Sequence, residues 1–351
     1  MGLTPVPATG RPTPATADAA TAPHPTDPAS ATIRNLLTET RRYPAPAAFA
    51  AQANVDATWW DRAAADPIAF WGEQANRLDW AEPWHTDHTW EPAETDADGV
   101  LSVPRAEWFA GGTLNVAVNC VDRHVAAGKG DKVAFHFEGE PGDRRTITYA
   151  ELEREVNRAA NALTTLGIVP GDRVVVYLPV IPETIIITLA IARLGAVHSL
   201  VFGGFSAEAL RFRVADTGAS VVIASDGQYR RGAAVPVKGI VDEAVAGLDH
   251  VRHVLVVRRT GDAIEWDPVR DVWWHDAIEA QPEVHVAPAH AAEHPLFITY
   301  TSGTTGRPKG VVHTTGGYLV QASWSHWALF DAKPDDVYWC TADLAWVTAH
   351  T

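Results

Sequence analysis

Two periodicities alternate through the middle of the chain. Thr148 and Glu151 form a capping box, and Leu152, Val156, Ala159, Leu163 and Leu166 follow at helical spacing until Gly167 ends the run. Pro170-Gly171-Asp172 then reads as a turn, and the β-branched stretch Arg173–Leu178 as a buried strand. The same analysis predicts a helix over Pro182–Arg193 stopped by Gly195, a strand over Val197–Phe202, a Ser206-capped helix to Asp216 closed by Gly218, and a strand over Val221–Ala224. Strands alternating with helices at these intervals imply an α/β fold, with a parallel sheet flanked by helices and right-handed crossovers. His253–Val257, Leu296–Tyr300, Gly310–His313 and Val337–Cys340 are further strand candidates, and a helix is expected over Gly317–Leu329. No internal repeat is visible.

The flanks read differently. Residues 1–32 are rich in Pro, Ala and Thr without hydrophobic periodicity, and they lack the basic-then-apolar order of a signal peptide; a disordered leader is expected. Between residues 33 and 145 the chain carries Trp59, Trp60, Phe70, Trp71, Trp80, Trp84 and Trp90, and packing is preferred over a ligand platform because large aromatics act mainly by burial.

Composition narrows the partners. A hydrophobic fraction of 46% over 351 residues supports a large core. With 28 basic against 43 acidic side chains the formal charge is −15, which disfavours nucleic acid and anionic membrane surfaces. No apolar run reaches the roughly 18 residues of a membrane span. Cys120 and Cys340 stand far apart and suggest no disulfide framework, so a reducing cytoplasm is expected.

A phosphate-bearing ligand must therefore be held by a local device, and one is present. Tyr300-Thr301-Ser302-Gly303-Thr304-Thr305-Gly306-Arg307-Pro308-Lys309-Gly310 lies between two apolar strand candidates. Gly303 and Gly306 allow close backbone approach, the hydroxyls of Thr301, Ser302, Thr304 and Thr305 add donors, and Lys309 adds a positive charge. It is not a Walker A loop, because Lys309 follows Pro308 and precedes Gly310.

This string resembles the phosphate-binding loop of the AMP-forming, adenylate-forming enzymes. Trp108–Asn115, Asn119–His124, Val201–Ser206, His313–Tyr318 and Tyr338–Asp343 are similar, in order, to stretches of the acetyl-CoA synthetase family, so the likeness runs from about residue 33 to the last residue. It implies an incomplete large N-terminal domain of an adenylate-forming enzyme, divided as an acetyl-CoA-synthetase-type region over 33–145 and a truncated adenylation domain over 146–351. Phe202, Gly203 and Gly204 would meet coenzyme A, with Phe202 against adenine and Gly204 near the 3′-phosphate. Arg230, Arg231 and Gly232 lie where the family has Arg-x-Gly-Arg gripping the coenzyme's phosphate, but Ala233 replaces the last arginine. Trp346, Val347 and Thr348 would wall the acetate pocket, with Thr348 also reaching coenzyme A; Ala345 and Ala349 stand where the family usually has glycine.

The resemblance further implies ATP and coenzyme A as ligands, magnesium carried on the ATP phosphates, and acetate as the acyl substrate, with propionate the nearest rival. The small C-terminal domain, with its adenylation lysine, is expected beyond Thr351, so no catalytic residue is assigned; Lys309 is not that lysine. Two functional classes stay open: the N-terminal half of an acetate–CoA ligase, or a non-catalytic product or binding module that keeps coenzyme A or nucleotide contacts. Oligomeric state is not legible. The His285, His290, His294 cluster matches no compact zinc spacing, no metal ligand is assigned, and Cys120 with Asp122 and His124 is read as structural.

Overall fold

The computed structural model describes residues 41–301 and 306–351, so the 1–32 leader falls outside the described residues. The chain divides into two compact units, Met1–Gln52 and Ala53–Thr351. In the first, Ala47–Ala51 forms a single exposed helical turn after Pro46.

In the second unit, the capping box sets the frame. Thr148 Oγ1 accepts from the Glu151 backbone N–H at 3.2 Å, and the Glu151 carboxylate accepts from the Thr148 N–H at 2.8 Å. These bonds satisfy the first orphan donors of α1 (Tyr149–Thr165). There follow β1 (Arg173–Tyr177), α2 (Pro182–Arg193), β2 (Val197–Leu200), α3 (Ala207–Thr217), β3 (Val221–Ser225), α4 (Lys238–Val245), β4 (His253–Val257), β5 (Asp271–Trp273) and α5 (Trp274–Glu279). After them come β6 (Pro295–Thr301), β7 (Lys309–Thr314), α6 (Thr315–Ala328) and α7 (Val347–His350). Pro182 starts α2 at the position where a missing N–H costs nothing, and Gly218 ends α3 in the left-handed region at φ +61°.

The seven strands make one sheet in the order β5-β4-β3-β1-β2-β6-β7, parallel except for the antiparallel β6–β7 edge pair. Alternate residues feed opposite layers. Val174, Val176, Val221, Ile223 and Leu255 pack with α1 and α2, whereas Val175, Tyr177, Val222, Ala224 and Val254 pack with α3 and α4. A strand buried on both faces needs no polar alternation, which explains the unbroken apolar runs. Each fully buried aliphatic side chain here contributes about 1.5–3 kcal/mol.

A third core joins the region before α1 to the β6 edge through Leu78, Phe109, Leu114, Phe297 and Leu319. Most of the tryptophans pack. Trp59 meets Trp327 edge-on at 5.3 Å, Trp71 meets Trp324 at 5.6 Å, and Trp80 and Trp84 flank Phe109 at 5.6 and 5.4 Å. Trp60 and Trp90 lie exposed. The region also holds two antiparallel strand pairs, Thr86–Glu91 with Arg105–Ala110 and Val133–Glu138 with Arg144–Thr148.

One predicted strand is absent. Val337–Cys340 makes no ladder; Val337 and Trp339 project into solvent, and Tyr338 instead packs edge-on against His326 at 4.8 Å. Apolar side chains alone do not make a strand without a partner strand to pair with.

Candidate functional site

Open parallel sheets place ligands beyond the carboxyl ends of their strands. Strands β2 and β6 are parallel neighbours, so the segment after Leu200 and the end of β6 at Thr301 emerge on the same side. Between them is a cleft of 380 Å³ whose walls include Phe202 and Phe205 after β2, Tyr300 and Thr301 from β6, Pro308 before β7, and Ala345 and Trp346 before α7. Three stretches distant in sequence thus meet at one opening.

The loop after β2 is held from beneath. The Tyr177 hydroxyl donates to the Phe205 carbonyl at 2.7 Å and lies 3.2 Å from the Gly203 carbonyl, to which Gln228 Nε2 donates at 2.6 Å. Burial pushes the Tyr177 phenol above its ordinary pKa, so it remains a donor. A Cβ on Gly204 would lie 2.3 Å from Arg230 Nη1 and 2.6 Å from the Phe202 ring. Arg230 stacks its guanidinium 5.1 Å from the Phe202 ring centroid. Phe202, Gly204 and Arg230 are therefore one assembly.

Arg230 ends the first strand of a hairpin, Gly227–Arg230 with Ala233–Pro236. Arg231 and Gly232 form its two-residue turn, both at positive φ (+55° and +80°), as such turns require. Both turn residues are exposed, and the Gly232 N–H donates to the Glu140 carboxylate. Ala233 is the direct cross-strand partner of Arg230, so only a methyl stands opposite that guanidinium.

Of the loop expected to hold phosphate, Ser302, Gly303, Thr304 and Thr305 lie outside the described residues. Thr301 and Lys309 are cross-strand partners on β6 and β7, and Gly306 has φ +83°. Tyr300 donates its hydroxyl to Asp216 Oδ2 at 2.6 Å, and burial raises its pKa. Beside it, Arg213 of α3 lies over the rings of Phe205 and Tyr300, 4.5 and 5.2 Å from their centroids. Tyr177, Gln228 and Arg213 escaped the sequence reading, whereas Tyr300 entered it only as the end of a strand candidate and the first residue of the loop string. Tyr177 and Gln228 are merely polar residues in or beside an apolar strand, and Arg213 sits within helix α3, so none carries a distinctive signal.

Of the residues expected to wall an acetate pocket, Trp346 lines the cleft, while Val347 and Thr348 open α7 and are exposed. Asp343 Oδ1 accepts from the Ala345 N–H at 2.9 Å and thereby fixes the turn into Trp346; burial raises the Asp343 pKa, and nearby Arg230 opposes the rise.

A larger cavity of 630 Å³ is lined by Cys120, His124, Tyr149, His198 and Tyr318, and none of the predicted ligand-contacting residues lines it. Burial pushes the Cys120 thiol up to about 11, and Asp122 is held by Arg193 at 2.8 Å, so neither is poised as part of a nucleophilic set. His290 and His294 stack at 4.8 Å, and the His294 ring bonds to the Gly195 carbonyl at 2.6 Å. Among the described residues there is no group of three or more His, Cys, Asp or Glu placed to hold a metal ion, and no helix long and apolar enough to cross a membrane.

Comparison with known proteins agrees with this layout. A family profile described as AMP-binding enzyme matches residues 122–351, and one described as acetyl-coenzyme A synthetase N-terminus matches residues 57–120. The chain is 57% identical to an acetyl-coenzyme A synthetase of Streptomyces coelicolor over 320 residues, covering 91% of this chain and 48% of that protein. It is 57% identical to one of Mycolicibacterium smegmatis (88% of this chain, 32% of that protein) and 46% identical to one of Deinococcus radiodurans (93% and 49%). The chain spans half or less of the length of these relatives. With the profile covering its whole α/β sheet, the chain belongs to the AMP-binding enzymes and, within them, to the acetyl-coenzyme A synthetase group.

Proposed function

We propose that this chain supplies the nucleotide-, coenzyme A- and acyl-binding walls of an AMP-forming acetate–CoA ligase. The observation that carries the reading is the convergence on one cleft of Phe202, Thr301 and Trp346, each from a different family-like motif.

The reaction has two steps. An acetate oxygen attacks the α-phosphorus of ATP, forming the acetyl-adenylate and expelling pyrophosphate; the coenzyme A sulfur then attacks the acetyl carbonyl carbon, and AMP leaves. Both steps depend chiefly on positioning and charge neutralisation. Residues 301–306 with Lys309 would hold the β- and γ-phosphates, and magnesium enters with the ATP as part of the substrate. Phe202 would stack on the coenzyme's adenine, with Arg230 pairing with its phosphate. Trp346, Val347 and Thr348 would enclose the acyl methyl, and the departing thiol proton passes to solvent. A small-molecule ligase in the cytoplasm fits the charge of −15, which repels nucleic acid.

The test is acetate-dependent ATP–pyrophosphate exchange by the protein at the length of its relatives, with coenzyme A binding by the 351-residue chain measured alongside. Exchange with acetate supports the ligase. Coenzyme A binding without exchange by any short-chain acid would replace it with a binding module.

A further inference from the structure

A line of hydrogen bonds runs from the buried end of the sheet to the segment carrying Trp346–Thr348. His198 Nε2 on β2 lies 2.7 Å from His350 Nε2 on α7. His350 Nδ1 lies 2.9 Å from the Tyr318 hydroxyl on α6, Tyr318 donates to Thr351 Oγ1 at 2.9 Å, and Thr351 Oγ1 donates to the Val347 carbonyl at 2.8 Å. Both imidazoles pack on Phe297, His198 stacked at a centroid distance of 5.6 Å and His350 tilted at 4.1 Å.

Counting protons fixes the direction. Two neutral imidazoles 2.7 Å apart share one Nε2 proton. If His350 supplied it, His198 would carry its own proton on Nδ1, which is buried without a partner. An orphaned buried N–H costs more than an idle lone pair. Tyr318 would then also have to donate to two acceptors with one hydrogen. If His198 supplies it, His350 carries its proton on Nδ1 and donates to Tyr318. Tyr318 donates to Thr351, Thr351 donates to Val347, and every hydrogen in the line is used once.

We infer that His198, His350 and Tyr318 are positioning residues that lock the acyl-pocket segment Trp346–Thr348 onto the sheet through one directional line of donors. The inference rests on the acyl-pocket reading above. The line requires both imidazoles neutral, because a second proton on His350 sets two Nε2–H groups against each other and drives the His198 proton to its unpartnered Nδ1. The titratable groups facing the pair are His313 from β7 and Tyr318 from α6, with Cys120 acting on Tyr318. Burial holds His198 and His350 below the ordinary histidine value, the latter at about 4, and pushes Tyr318 up to about 12. The line therefore persists at neutral pH.

Ring-nitrogen NMR and amide hydrogen exchange on the 351-residue chain test it without turnover. At pH 7 His198 should show the Nε2–H tautomer and His350 the Nδ1–H tautomer, with neither ring titrating above pH 5. Tyr318→Phe should keep the fold and both neutral rings. It should move the His350 Nδ1 resonance and speed exchange of the Ala349–Thr351 amides by roughly fivefold, as for one lost net hydrogen bond. The same tautomer on both rings, a His198 titration near 6.5, or unchanged exchange in Tyr318→Phe overturns the inference. Failure of acetate-dependent exchange in the longer protein would remove the ligase reading alone, because these readouts need no substrate.

Discussion

Adding one methyl group at Gly204 gives a sharp test of the proposed coenzyme A wall. In Gly204→Ala the new Cβ would stand 2.3 Å from Arg230 Nη1 and 2.6 Å from the Phe202 ring. Gly204 has no positive φ to forbid alanine, and the clashing atoms are ends of side chains, so the backbone survives and Arg230 and Phe202 move apart instead. The guanidinium then loses its stacked position 5.1 Å from the ring centroid and, with it, its aim at a bound phosphate. A charge-assisted hydrogen bond contributes about 1.5–3 kcal/mol, so affinity for coenzyme A should fall about tenfold to a hundredfold.

Calorimetric titration of the 351-residue chain with coenzyme A and with its 3′-dephospho form measures this directly. The parent should prefer the phosphorylated form, and Gly204→Ala should lose most of that preference while melting within about 2 °C of the parent, as a change outside the core does. Arg230→Ala should weaken binding by a similar factor. The double variant should be little worse than either single one, because both act on one contact. Equal affinity for both forms in the parent, or additive losses in the double variant, would refute the argument.

Other consequences concern the scaffold. Lys238 is almost fully buried between Asp242 and Asp271, at 2.7 Å from each, so Lys238→Met should leave a buried charge under-compensated and lower unfolding free energy by about 3 kcal/mol; an unchanged urea midpoint would refute this. Ile187 is fully buried in the α1–α2 layer, and Ile187→Ala should cost about 2–5 kcal/mol by the same measurement. Stability should also fall on acidification. Burial lowers His350 from the ordinary histidine value of 6.5 to about 4 in the folded protein, so the unfolded chain binds more protons between those values. The contribution is complete above pH 6.5 and is lost as pH falls through 4. That loss is on the order of 3 kcal/mol for this residue at about 1.4 kcal/mol per unit, and urea midpoints that stay constant over this range would count against it.

Most of the central fold was legible because its strands are buried on both faces and its helices begin with explicit caps. The bounds of α2 and β4 coincide with the sequence reading, and Thr148 and Ser206 cap the helices they were expected to cap. The strand pair Thr86–Glu91 with Arg105–Ala110 was not legible. Its first strand reads TDHTWE, half-buried and mostly polar, and it is specified by pairing across an intervening loop rather than by its own periodicity. Val337–Cys340 shows the converse error, an apolar string that pairs with no strand among the described residues.

The candidate site divides along the same line. Motif residues that share one stretch of backbone, such as Phe202 with Gly204 or Arg231 with Gly232, could be found because the required geometry is local. A loop of glycines is useful only if something keeps it from collapsing, and that support comes from Tyr177 on β1 and Gln228 on the hairpin, which meet at the Gly203 carbonyl. Neither resembles a binding residue in sequence, since a tyrosine ending a valine run and a glutamine in a short strand are both ordinary. The same holds at the proposed acyl wall, where Asp343 fixes the turn and His198 reaches α7 from β2, 152 positions away in sequence from His350. The groups proposed to face ligands belong to the motifs, but their rigidity belongs to residues that only the sheet order brings together. Substitutions that spare every motif should therefore still alter binding, and Tyr177 and His198 are where the structure concentrates that sensitivity.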